Sequence, residues 1–244
     1  MTKNKLFFLF IITFTLASFN LNAADLKIGV GNTLQPYFIK ENNKGIEMEI
    51  VQEALKLKGH KTTPVYLPFA RVPHFLRLGK IDCACTITES SGAKAYYSDV
   101  HITYQNYAIS LVSSNLSINN IADLKNKSVL AFQNATKYLG QEFSDMAKAN
   151  SLYREKADQL NQARQLFYKR TDVIITDGNI FKYFSRQIEN DVDAPLGVVY
   201  HRIFPKTEYR VAFTDEAIMK DFNAGLKQIK TSGLYDKIIS RYTD

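Results

Sequence analysis

An α/β fold is what this sequence predicts, on three observations. Short runs rich in β-branched and aromatic residues alternate with segments whose apolar residues recur at helical spacing. The alternation holds from residue 26 to residue 242, with turn residues between segments. No internal repeat, low-complexity tract or long linker interrupts it.

LKIGVG (26–31) reads as a buried strand. GIEMEIVQEALKLKG (45–59) reads as a helix, with Ile46, Ile50, Val51, Ala54 and Leu55 on one face and Gly59 as its stop. PVYL (64–67) is a strand, RVPHFLRLG (71–79) a helix with Pro73 in its first turn, and IDCACTIT (81–88) and YAISLV (107–112) are strands. A second series follows the polar SSNLSINN (113–120). It comprises a short helix at IADLKN, a strand at SVLAFQ (128–133) and one helix from about Thr136 to Ala149. The helix ADQLNQARQLFYK (157–169), the strand TDVIITD (171–177) and a helix to about Ile188 come next. VVYHRIF (198–204) and YRVAF (209–213) are strands, and helices at 215–230 and 233–242 close the chain.

Ahead of this series, Lys3 and Lys5 precede an apolar core from Leu6 to Ala17, and SFNLNA (18–23) exits at small residues. A permanent membrane helix needs about 20 apolar residues. The segment is therefore expected to be a secretory signal peptide cleaved near Ala23. No cysteine stands directly after that point to take a lipid anchor and no later run is apolar enough to span, so the expected location is a Gram-negative periplasm. The mature 221 residues carry 29 basic against 24 acidic side chains, a net +5 scattered along the chain. That pattern is a solvated surface rather than a phosphate-tracking stripe, and no nucleic-acid partner is expected.

Cys83 and Cys85 sit at i and i+2 on a strand, a spacing that strains a disulfide. His60, His74, His101 and His201 follow no metal-ligand spacing, so two buried free thiols and no metal are expected. GVG (29–31) lacks the third glycine of a dinucleotide fingerprint, which falls at Leu34. HExxH, GxSxG, P-loop and CxxC motifs are absent, and no catalytic residue or cofactor is assigned. What remains are polar groups at strand ends: Thr86 and Thr88 close one strand, Thr136 opens a helix, and Asp177 closes another strand before Gly178. Ligands of open α/β sheets settle there, although each group singly is an ordinary helix cap.

In order along the chain, PYF (36–38), GIEMEI (45–50), LRLGKIDCACTIT (76–88), YSD (97–99), IADLKNKSVLAFQNAT (121–136), TDVIITD and TSGLYDKIISRY (231–242) resemble motifs of one family. It is the type II periplasmic solute-binding proteins that serve polar amino-acid ABC transporters. The resemblance implies a two-lobed fold with two hinge crossovers, lobe 1 being residues 25–109 plus 208–244 and lobe 2 residues 110–207. It further implies that Phe69 packs on a ligand, Thr86 and Thr136 offer hydroxyl contacts, and Asp177 takes an α-amino group, with Tyr37 a candidate stacking face or core filler. One position departs. The family's Thr-Pro-Glu-Arg is Thr88-Glu89-Ser90-Ser91 here, so Ser91 replaces the arginine that clamps an α-carboxylate. Either Arg71 reaches into the cleft instead, or the ligand carries no α-carboxylate. The implied function is a monomeric, non-enzymatic protein that captures a small polar solute, an amino acid or similar, for an inner-membrane ABC permease. The alternatives are an enzyme like the cyclohexadienyl dehydratases and a ligand carrier for a membrane sensor.

Overall fold

The computed structural model describes residues 23–32, 34–188 and 197–243; the expected leader, apart from Ala23, lies outside the described residues. The first series is β1 (Asp25–Gly31), α1 (Ile46–Lys56), β2 (Lys61–Leu67), α2 (Val72–Arg77), β3 (Cys83–Ile87), β4 (Tyr96–Tyr97) and β5 (Ile102–Leu111). The second is β6 (Val129–Phe132), α3 (Ala135–Tyr138), α4 (Gln141–Ala149), β7 (Tyr153–Lys156), α5 (Gln159–Phe167), β8 (Val173–Asp177), α6 (Gly178–Ile188) and β9 (Val198–His201). The chain then returns through β10 (Lys206–Phe213) to α7 (Glu216–Thr231) and α8 (Leu234–Thr243).

The strands run in the order β2-β1-β3-β10-β5-β8-β6-β7, with β4 beside β10 and β9 beside β5. Each half is built alike: β1 lies between parallel β2 and β3, and β6 between parallel β7 and β8. Helices cover these parallel strands, which explains their apolar runs, such as Ile28 and Val30, or Val173 to Ile175, all fully buried. Two strands carry the chain between the halves. Residues 102–105 of β5 pair antiparallel with 206–209 of β10, and residues 106–110 of β5 then pair with β8. Beyond residue 209, β10 pairs with β3 and β4.

On the first half, α1 buries Ile46, Ile50, Val51, Ala54 and Leu55 as its spacing predicts. It crosses α7 so closely that a Cβ on Gly225 would overlap the Ala54 carbonyl oxygen. Arg241 and Tyr242 of α8 both bond the Glu49 carboxylate, which fixes the terminal helix against α1.

Four elements differ most from the sequence expectation, one of them β4, a two-residue strand that was not expected. The single helix expected over 136–149 is two, because Gly140 adopts φ 90° and α4 starts afresh behind it. β5 begins at Ile102 rather than Tyr107, its polar Thr103, Gln105 and Asn106 having masked the strand. β7 was not expected. Its sequence YREK is mostly charged because it forms the sheet edge, with Arg154 and Lys156 exposed.

Candidate functional site

The site begins at the turn after β1. Pro36 and Tyr37 turn their carbonyls onto the first N–H groups of α1: Ile46 donates to Pro36, and Glu47 and Met48 donate to Tyr37. Gly45 allows this approach, since at φ 125° it has no Cβ to overlap the Tyr37 carbonyl. The turn thereby sets two side chains inward. The Tyr37 ring stacks on Tyr104 of β5, centroids 3.8 Å apart. Glu47 is fully buried.

A buried carboxylate needs a full set of donors, and Glu47 has four. Oε1 accepts the Thr86 N–H (2.8 Å) and His101 Nε2 (2.7 Å). Oε2 accepts the hydroxyls of Thr86 (2.9 Å) and Tyr104 (2.8 Å). Thr86 meets Glu47 twice because its backbone is in the left-handed region, φ 57°. That conformation is strained for a β-branched residue. It falls where the β3–β10 register shifts, between Arg210 and Ala212.

Asp177 closes β8 and caps α6. Its Oδ1 accepts the N–H groups of Asn179 (2.9 Å) and Ile180 (3.2 Å) and the Tyr37 hydroxyl (3.0 Å). Its Oδ2 accepts the Gln105 N–H (2.9 Å), from the point where β5 crosses between the halves. Burial pushes this carboxyl up to about 6, against the opposing pull of those hydrogen bonds.

Above this floor lies a cleft of about 320 Å³, within the size range of small-molecule sites. The first half contributes Phe69 and Thr86, the second Asn134, Tyr138 and Asp177, and the crossing strands Tyr104, Asn106 and Tyr209. Phe69 and Tyr138 meet across the mouth, centroids 5.8 Å apart, and Tyr104 and Tyr209 meet edge to face at 4.9 Å.

Of the candidates read from sequence, Phe69, Thr86 and Asp177 come together in this lining. Tyr37 stands behind Asp177, on a neighbouring cavity that Tyr107 and Lys182 also line. The other four are not among the lining residues. Thr136 gives its N–H and hydroxyl to Glu155, at 3.2 and 3.1 Å. Arg71, ending the 3-10 turn Phe69–Arg71, is exposed. Thr88 is half-buried at the start of the turn Glu89–Ser91, and Ser91 is exposed with its hydroxyl 3.3 Å from that of Tyr97. Sequence reasoning missed Tyr104, Asn106, Tyr138, Tyr209 and Glu155. For Tyr104 and Asn106 a signal existed, since Ile102, Tyr104 and Asn106 alternate on one face of β5. Cys83 and Cys85 are buried free thiols, and burial raises both. Among the described residues no group of three or more His, Cys, Asp or Glu is placed to hold a metal ion. No helix among them is long and apolar enough to cross a membrane.

Comparison with known proteins agrees with this architecture. Residues 26–244 match the family model for bacterial extracellular solute-binding proteins, family 3. A Campylobacter jejuni protein named as a probable histidine-binding protein is 24% identical over 226 residues, covering 89% of this chain and 84% of its own length. An ancestral arginine-binding protein bound to arginine superposes with a TM-score of 0.73 at 24% identity, covering 90% of this chain and 98% of that one. An ancestral amino-acid-binding protein, a precursor of cyclohexadienyl dehydratase, gives 0.72 at 22% identity, covering 90% and 96%. These structural neighbours carry the two-lobed α/β fold expected from the sequence motifs. The match over almost the whole chain supplies the rest: the protein belongs to the bacterial extracellular solute-binding proteins of family 3.

Proposed function

We propose that the chain is exported by its N-terminal leader and works in the periplasm as a monomeric receptor for a small polar solute, which it hands to an inner-membrane ABC permease without chemical change. The observation that carries this reading is the cleft between two halves joined by two strands, with Phe69 and Thr86 on one wall and Asn134 and Asp177 on the other. Such a joint permits hinge closure on a ligand. Lobe 2 is drawn from Asn106, where β5 starts to pair with β8, to about Lys206. That start lies a few residues before the boundary after 109 that the motifs imply. The relatives named for histidine and arginine support an amino-acid-like solute.

Two measurements test the proposal. A thermal-shift screen of the mature protein covers amino acids, amines, dicarboxylates, peptides and sugars. A ligand at about 100 times its Kd adds roughly 2.7 kcal/mol, or about 5–10 °C for a chain this long. Small-angle scattering of the stabilised complex should report a smaller radius of gyration. A panel without any stabilising compound, or a ligand that leaves the scattering unchanged, counts against capture by closure.

A second reading has one observation in its favour: the Asp177 carboxyl, raised to about 6, suits an acid near neutral pH. Incubation with prephenate or arogenate decides it, since product formation would show turnover on this scaffold.

A further inference from the structure

The lining of the cleft is chemically one-sided. Among the described residues that form it there is no lysine, arginine or histidine, and Asp177 is the charged one. Two more carboxylates stand directly behind the lining. Glu47 bonds Thr86 and Tyr104, and Glu155 bonds the backbone N–H of Asn134. Apart from Thr86, the rest is side-chain amides such as Asn106 and Asn134, aliphatic groups such as Leu34 and Ile180, and the faces of Phe69, Tyr104, Tyr138 and Tyr209.

A ligand carboxylate entering here would meet side-chain amides but no cation, and the backbone donors at the start of α3 are already used. The N–H groups of Asn134 and Thr136 at the start of α3 converge on Glu155, at 2.7 and 3.2 Å, together with the Thr136 hydroxyl. The Tyr153 hydroxyl adds a fourth bond at 2.8 Å. These bonds hold the Glu155 carboxyl below its usual range, against partial burial, so it stays ionised and bound. The protein thus supplies its own carboxylate where an incoming one could have bound. Arg71 and Ser91 lie outside the lining.

Asp177 is arranged in the opposite sense. Oδ1 takes three hydrogen bonds, whereas Oδ2 takes one, from Gln105, and keeps a lone pair for a further donor. An ammonium N–H is the donor that gains most from a desolvated carboxylate. Aromatic faces around it add attraction for the cation.

We propose that the cleft selects an organic amine cation that carries no carboxylate, its N–H groups on Asp177 Oδ2 and its carbon skeleton among the rings of Phe69, Tyr104, Tyr138 and Tyr209. This rests on the reading of the cleft as the solute site and names the class of solute.

The test uses the mature protein and pairs of compounds that differ by one carboxylate: agmatine with arginine, histamine with histidine, and cadaverine with lysine. Calorimetric titration at pH 7.5 should show one or more of the amines binding at least about tenfold tighter than its amino acid. Asp177→Asn should remove that binding. Glu155→Gln, which keeps an acceptor but drops the charge, should narrow the gap between the amine and its amino acid. Tighter binding of the amino acid in the pairs that bind would overturn the proposal and leave solute capture standing. Closure on a sugar or a dicarboxylate would overturn it in the same way. Tetramethylammonium binding as tightly as the amines would overturn the role given to Asp177 Oδ2. Silence across the whole screen would overturn this inference and the solute-binding reading together.

Discussion

Replacing Glu47 by alanine should destabilise the protein severely, and the structure gives the size of the effect. The carboxylate is fully buried and receives four hydrogen bonds, from the Thr86 N–H and hydroxyl, His101 Nε2 and the Tyr104 hydroxyl. Each donor left buried without a partner costs about 1–3 kcal/mol. The losses do not simply add. Two hydroxyls can rotate, and Thr86, freed from Glu47, can relax from its left-handed backbone. The His101 ring and the Thr86 N–H cannot turn away by a simple bond rotation as the hydroxyls can. Breaking a buried pair of this kind costs about 3–5 kcal/mol in all. At about 2–4 °C per kcal/mol for a chain this long, the melting temperature should drop by roughly 10 °C. Glu47→Gln should be far milder, near 1 kcal/mol. Its amide oxygen can face the Thr86 N–H and His101, while the amide nitrogen donates to hydroxyls that turn to accept. Calorimetric melting and urea unfolding of both variants provide the measurement. Glu47→Ala melting within roughly 2 °C of the parent would refute the claim that this carboxylate organises the floor of the cleft.

Four further outcomes follow from the same geometry. Because burial raises Asp177 to about 6, its ionised form costs the ligand-free protein about 3 kcal/mol. The folded state binds a proton that the unfolded chain has lost, so this contribution to stability grows as pH falls from about 6 to about 4. Asp177→Asn should remove that part of the melting profile, and an unchanged profile would contradict the assignment. Tyr37→Phe deletes the hydroxyl bond to Asp177, should cost about 1 kcal/mol, and should shift the same profile to higher pH. Gly225→Ala should reverse the usual helix gain of about 1 kcal/mol, because the new Cβ overlaps the Ala54 carbonyl and forces α7 off α1; the urea midpoint should fall. Cys83 and Cys85, buried in β3 with their thiols held protonated, should stay silent toward Ellman's reagent until urea unfolds the chain. Rapid labelling of the native protein would show that β3 opens.

The alternation of apolar strands and amphipathic helices was readable in one dimension, because burial on a sheet and burial on a helix face impose different spacings on neighbouring residues. The order of the short motifs then carried the two-lobed fold. Local rules also located Asp177, since a strand ending in an acid before a helix is a capping position whatever else it does. Contacts between distant segments were not readable in this way. Tyr37 meets Asp177 across 140 residues, and Thr86 meets Glu47 across 39, on a backbone twist that no spacing announces. Thr136 stands at a helix start, as its sequence suggests, yet the tertiary structure assigns its donors to Glu155 on an edge strand whose charged sequence did not announce it. Periodicity records which face of an element is buried. Which charge ends up opposite which donor depends on how the sheet brings those faces together, and that is where the cleft acquires its sign.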